Sequence, residues 1–153
     1  MYDRILVPVD GSATSKSGLR EAIALAKLTG GRIKLLHVFE MPVLGIGSEA
    51  ALMRGEDIYN VARDAGQAVL SAAAASVSAA GVEVEQRLVD SGGKRLCDHV
   101  AESARSWSAS LIVLGSHGRR GLQRVLLGSD AEQILRHAPV PVLLVRDVER
   151  RVA

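Results

Sequence analysis

Short apolar runs recur along the chain, and each of the first four is followed by a stretch of helical character. Most of them are continuously apolar, which is typical of strands that helices cover on both faces. Alternation of such strands with helices predicts an α/β fold with a parallel sheet. The runs span residues 5–9, 33–39, 82–89, 111–114 and 142–145.

The segments between the runs place apolar residues three and four positions apart, as one face of a helix requires. The first stripe is Leu19, Ala22, Ile23 and Ala26, and Gly30 follows it as a helix stop. Three further stripes predict three more helices: Ile58, Val61, Ala62, Ala65, Ala68, Val69 and Ala72; then Leu96, Val100, Ala104 and Trp107; then Ala131, Ile134, Leu135 and Ala138.

Composition narrows the class of protein. A length of 153 residues suits one domain, which we assign to residues 1–147, with a charged, frayed tail at 148–153. One Trp, two Tyr and one Phe leave an aliphatic core and little aromatic surface for stacking bases. Because the net charge is only +2 and no long basic run occurs, we expect no nucleic-acid partner.

Compartment signals favour the cytoplasm. Cys97 is the single cysteine, so no intrachain disulfide can form. The first predicted strand begins within a few residues of Met1, which leaves no room for a signal peptide. No apolar run approaches the roughly 18 residues of a membrane span, so we expect no membrane contact.

The fourth apolar run leads into a glycine loop that suits an anion. Gly115 and Gly118 begin the loop, and Gly128 and Ser129 end it before a predicted helix. Glycines let the backbone approach a phosphate, and the first N–H groups of a helix have no intrahelical partner. The spacing matches neither the P-loop nor the dinucleotide-binding fingerprint. Between the glycine pairs lie three arginines and no acid: Arg119, Arg120 and Arg124.

This loop, together with the opening segment 5–12, closely resembles the ATP-binding branch of the universal stress protein family. The resemblance runs from Tyr2 to Arg146. It implies a five-stranded sheet of order 3-2-1-4-5, an order that periodicity alone does not fix. In that order the ends of strands 1 and 4 meet where the strand order reverses, which is where such sheets bind ligands.

The resemblance also implies the ligand-binding residues. Asp10 would accept hydrogen bonds from a ribose hydroxyl or the base, although a turn or cap aspartate fits its position too. Val38 would hold adenine through its main chain, although a plain core valine is equally compatible. The loop glycines could be turn residues, with Ser129 as a helix cap. The predicted set is Pro8, Val9, Asp10, Val38, Leu114, Gly115, His117, Gly118, Arg119, Gly128, Ser129 and Asp130.

The implied ligand is ATP, with AMP, ADP or cyclic AMP also possible and Mg²⁺ only alongside the nucleotide. Asp130 departs from the family, which more commonly has a small apolar residue after Gly128-Ser129. An acid there brings negative charge near the phosphates. It either points away, helps to hold Mg²⁺, or lowers the affinity for a triphosphate.

Three functions remain compatible with the sequence. The first is a stress-response protein that signals through ligand binding; it has no assigned catalytic residue, and any hydrolysis would be slow. The alternatives are an ATP-independent interaction module of the same fold and a slow nucleotide hydrolase. We expect a homodimer through the last strand, from Val140 to Val145, because it is apolar and lies at a sheet edge. Segment 40–56 could cover the site, contact a partner or simply connect two elements.

Overall fold

The computed structural model describes residues 1–41, 54–116 and 127–146. Over these residues strands and helices alternate, as the apolar pattern predicts, and the ends of the strands differ from the predicted runs by at most two residues. The elements are β1 (Arg4–Pro8), α1 (Ala13–Thr29), β2 (Arg32–Phe39), α2 (Gly55–Ala79), β3 (Val84–Asp90), α3 (Leu96–Ser106), β4 (Leu111–Gly115), α4 (Ser129–His137) and β5 (Val142–Val145). The predicted tail at 148–153 and most of segment 40–56 lie outside the described residues.

The strands form one parallel sheet of order β3-β2-β1-β4-β5, which confirms the predicted fold class and the strand order implied by the resemblance. β1 lies at the centre, where Ile5 pairs with Ile33 of β2 on one side and with Leu111 of β4 on the other. The chain therefore runs outward from β1 in one direction and then in the other. The crevice between β1 and β4 is the point of reversal.

Helices cover both faces of the sheet, and alternate strand residues feed two separate cores. On one face, Val7 and Leu35 pack with residues of α1 and α2, including the fully buried Leu70. On the other face, Leu6 and Leu114 pack with residues of α3 and α4. Burial on both faces explains why the strand segments are continuously apolar. Within the described residues, no helix combines the length and the apolarity that a bilayer-spanning segment requires.

The predicted apolar stripe of α2 is only partly right. Ile58 is buried and Val69 packs against the core, but Val61 is 61% exposed. The buried residues further along are Gly66, Leu70, Ala74 and Val77. Gly66 lets this face of α2 lie close to the sheet, because a Cβ at that position would lie only 2.8 Å from Cδ2 of His37. Alanines fit an exposed or a buried face equally well, so the alanine-rich sequence gave little contrast between faces.

Trp107 closes α3 at the end of the sheet away from the crevice. It was predicted as a helical position, but the helix ends at Ser106 and Trp107 is its cap. Its Nε1 donates a hydrogen bond of 2.8 Å to Glu85, which lowers the pKa of that carboxyl. The ammonium of Lys34 lies 5.4 Å from its ring centroid. These contacts fix the C-terminal end of α3 at the start of β2 and β3.

Candidate functional site

A cavity opens at the carboxyl ends of β1, β2 and β4, at the point where the strand order reverses. Its volume of about 100 Å³ is smaller than the roughly 300–1,000 Å³ of pockets that enclose whole small ligands. The described residues therefore wall a space suited to one ring system, and a nucleotide would extend beyond it. The lining residues are Pro8, Val9, Asp10, Ser15, Leu36, His37, Val38, Leu96, Leu114, Gly115, Asp130, Ala131 and Ile134.

Asp10 shapes the turn that leaves β1 and also faces the cavity. Its Oδ1 accepts a hydrogen bond of 2.9 Å from the main-chain N–H of Ser12, and its own N–H donates to Oγ of Ser15 at 3.2 Å. Ser12, not Asp10, caps α1, since its hydroxyl accepts from the N–H of Ser15 at 3.2 Å. Among the described residues, Oδ2 of Asp10 takes no hydrogen bond. One carboxylate oxygen thus builds the turn while the other can meet a ligand.

Gly115 ends β4 at a place where no larger residue fits. A Cβ on Gly115 would collide with the carbonyl group of Thr14 in the first turn of α1. Gly18 makes the same contact from the helix side, because a Cβ there would lie 3.0 Å from the main-chain N of Gly115. The start of α1 therefore presses directly on the end of β4, and this contact shapes the floor of the cavity.

The residues at the two ends of the glycine loop, Ser116 and Gly128, lie next to each other. The N–H of Ser116 donates to the carbonyl of Val145 at 2.8 Å, and the N–H of Gly128 donates to the carbonyl of Ser116 at 3.1 Å. Gly128 is the cap residue of α4, so the alternative that Ser129 caps this helix is wrong. These bonds hold the start of α4 beside the end of β4. Between them, His117, Gly118 and Arg119 lie outside the described residues.

The start of α4 supplies Asp130, Ala131 and Ile134 to the cavity wall. Ala131 and Ile134 are buried, whereas Asp130 is exposed and lines the opening. Gly128 and Ser129 are not among the described residues that line the cavity. The prediction that they contact a ligand therefore stays untested by the cavity itself. Asp130 is one of the lining residues, and its effect on a triphosphate stays a prediction.

The opposite wall comes from β2 and the start of α3. Val38 lies in this wall together with Leu36 and Leu96. His37 lies on the other face of β2, where Nδ1 of its buried ring contacts the carbonyl oxygen of Val9 at 2.7 Å. This bond ties β2 to the end of β1, which is a structural role for the histidine. Leu36, Leu96 and Ser15 were missed as site residues because no local motif marks them.

The structure offers two further observations on ligands. Within the described residues, no cluster of three metal-ligating side chains occurs. A larger open groove of about 640 Å³ lies at the other end of the sheet, between the ends of α1 and α2. It brings Lys27 and Arg32 together with Asp3 and Glu83. Parallel sheets bind ligands at the carboxyl ends of their strands, so the smaller cavity is the stronger candidate site.

Comparisons with known proteins agree with this fold. A sequence model of the Universal stress protein family matches residues 1–146. A universal stress protein of Methanocaldococcus jannaschii is 30% identical over 147 residues, which cover 95% of this chain and 83% of that protein. The crystal structure of a family protein from Burkholderia pseudomallei is 30% identical and covers 94% of this chain and 96% of its own, with a TM-score of 0.72.

Some of the similar solved structures contain a bound nucleotide. One of them is the universal stress protein from Archaeoglobus fulgidus in complex with dAMP, 26% identical to this chain. The match covers 94% of this chain and 97% of that one, with a TM-score of 0.66. An adenine nucleotide thus binds a protein of this fold.

Proposed function

Because the chain belongs to the universal stress protein family, we propose that it binds an adenine nucleotide in the crevice between β1 and β4 and signals through that binding in the stress response. One observation supports this most strongly. Asp10, Val38, Gly115 and the start of α4 come from distant parts of the sequence and surround one cavity. The dAMP complex of the A. fulgidus protein supports adenine as the base.

The geometry of β2 favours recognition of adenine by main-chain groups. Along a strand, every second residue directs its N–H and C=O toward the same neighbouring strand. The carbonyl of Leu36 accepts a hydrogen bond of 2.9 Å from the N–H of Val9, on the β1 side. Val38, two residues further on, directs its main-chain groups to the same side, beyond the last residue of β1. They can pair with the edge of a base that lies between the apolar side chains of Leu36 and Leu96.

We assign the polar groups of the cavity to the sugar and the phosphates. Oδ2 of Asp10 would accept from a ribose hydroxyl, which is a charge-assisted hydrogen bond. The end of β4 at Gly115 and the first N–H groups of α4, after Gly128, would face the phosphates. Contacts from Ser129, His117, Gly118 and Arg119 stay predictions from the family resemblance, as does Mg²⁺ bound with the nucleotide.

The proposal is tested by isothermal titration of ligand-stripped protein with AMP, ADP, ATP and cyclic AMP. We expect at least one of them to bind with one site per chain. The matching guanine nucleotide should bind at least about tenfold more weakly, since its base edge reverses the donors and acceptors that Val38 would read. Failure of all four to bind would leave the ATP-independent interaction module as the better account. Release of phosphate from ATP in the same protein would favour the slow hydrolase.

We also propose that the protein forms a homodimer through β5 and residues 140–141 before it. β5 is an edge strand, and the side chain of Leu143 is 40% exposed there. Uncovered apolar edge strands pair readily with a second copy. Light scattering after size exclusion should report a dimer, and Leu143→Lys should shift it toward the monomer. Leu28→Lys, on the exposed face of α1, should leave the dimer intact. A wild-type monomer would refute this proposal.

A cytoplasmic location and the lack of a nucleic-acid partner remain predictions from composition. Cys97 is buried and unpaired, which suits a reducing compartment.

A further inference from the structure

Asp130 gives the cavity an electrostatic character that the glycine loop does not suggest. Two carboxylates, Asp10 and Asp130, line the cavity, and its described lining contains no lysine or arginine. Arg95 directly precedes the lining residue Leu96, but its guanidinium is paired with Asp98, with N–O distances of 3.2 Å. That pairing lowers the pKa of the Asp98 carboxyl. Arg95 is thus engaged by an acid of its own helix.

The charge at the start of α4 is negative when the helix dipole is included. The N-terminus of a helix acts as roughly +0.5 of an elementary charge. Its first turn contains Asp130 and Glu132. Glu132 is neutralised by Arg136, which lies 2.9 Å away one turn further on. Asp130 has no ion pair within the described residues. Its full negative charge exceeds the dipole, so this helix start attracts phosphate less than a typical one.

From this we propose that Asp130 makes the site select adenine nucleotides by phosphate charge, so that AMP binds more tightly than ATP. The inference rests on the proposed function and refines it. Each additional phosphate on the ligand adds negative charge near Asp130, an exposed acid among the residues that line the cavity. AMP, with one phosphate, keeps its base and ribose contacts and is repelled less by Asp130. ATP, with three phosphates, is repelled more.

The test is a titration of wild type and Asp130→Asn with AMP and with ATP in metal-free buffer, so that Mg²⁺ does not screen the phosphates. The wild type should bind AMP more tightly than ATP. In Asp130→Asn the ratio of the ATP to the AMP dissociation constant should fall by about threefold to tenfold. The arginines at positions 119, 120 and 124 are unchanged in both proteins, so the comparison isolates Asp130. Added salt should narrow the difference between the two proteins.

Glu132→Gln is the matched control. It removes the same charge from the same helix turn, but Glu132 does not line the cavity and is paired with Arg136. Its nucleotide ratio should equal that of the wild type, and circular dichroism should show both variants folded. ATP binding more tightly than AMP in the wild type, or an equal shift of the ratio in both variants, would overturn the role of Asp130. Failure of both nucleotides to bind the wild type would instead overturn the proposed function together with it.

Discussion

Gly115→Ala is expected to abolish nucleotide binding and to destabilise the fold by about 3 kcal/mol, the upper end of what overpacking costs. The new methyl group would collide with the carbonyl group of Thr14, whose carbonyl carbon would lie 2.5 Å away. This neighbour is backbone in the first turn of α1, so no side chain can rotate to relieve the contact. Either β4 or α1 must move, and the cavity floor moves with it. Urea denaturation and isothermal titration measure the two effects.

Gly55→Ala provides the control for a simple change from glycine to alanine. Gly55 begins α2, and a Cβ there would meet no atom within 4 Å. Its stability should stay the same or rise by up to about 1 kcal/mol, because alanine restricts the unfolded chain. Its nucleotide affinity should equal that of the wild type. If Gly115→Ala behaved like this control, the close contact between α1 and β4 would not define the site.

Asp10→Ala is expected to weaken nucleotide binding by about tenfold to a hundredfold, the value of a hydrogen bond to a charged group. The substitution removes Oδ2, which has no hydrogen bond within the described residues, and Oδ1, which accepts from the N–H of Ser12. Asp10→Asn separates these two roles. It retains an oxygen that can accept from Ser12 but loses the charge, so it should keep the stability of the wild type and lose part of the affinity. Titration with AMP gives both values.

Asp90→Ala is the control for loss of the turn alone. The Oδ1 of Asp90 accepts a hydrogen bond of 2.9 Å from the N–H of Gly92, the same arrangement as Asp10 with Ser12. Asp90 ends β3 and does not line the cavity. Its replacement should cost a similar amount of stability and leave AMP binding unchanged. Equal losses of affinity in Asp10→Ala and Asp90→Ala would mean that Asp10 acts through the fold and not through a ligand.

Much of the fold could be predicted from the local pattern of apolar residues. Strands and helices fall where the apolar period changes, because the spacing of buried side chains is a property of neighbouring residues. The apolar spacing did not identify the whole buried face of α2, because small residues occur on both faces of that helix. It placed Trp107 on the buried face of α3, one residue past the observed helix end, but it did not show that the indole N–H bonds to Glu85, 22 positions earlier in the chain. Contacts between distant segments are invisible to a periodicity argument.

The residues of the candidate site also fall into two groups, those that a local motif marks and those that only the fold brings together. Asp10 and Gly115 stand out in the sequence because a strand end, a glycine and a polar residue follow one another there. Ser15, Leu36 and Leu96 have no such signature, and only folding brings them to the cavity. The hydroxyl of Ser15 lies there because α1 starts at once after the turn at Asp10.

The amino-acid sequence by itself determined the class of fold, the position of each element and the presence of a glycine loop suited to an anion, since these follow from local spacing and residue type. Only the tertiary structure decided which side chains share the cavity. It placed Asp130 and Asp10 in the lining of the same cavity, and it paired Glu132, which is not a lining residue, with Arg136. The charge that a ligand meets depends on distances through space between residues far apart in the chain, and those distances are set by how α4 packs on the sheet.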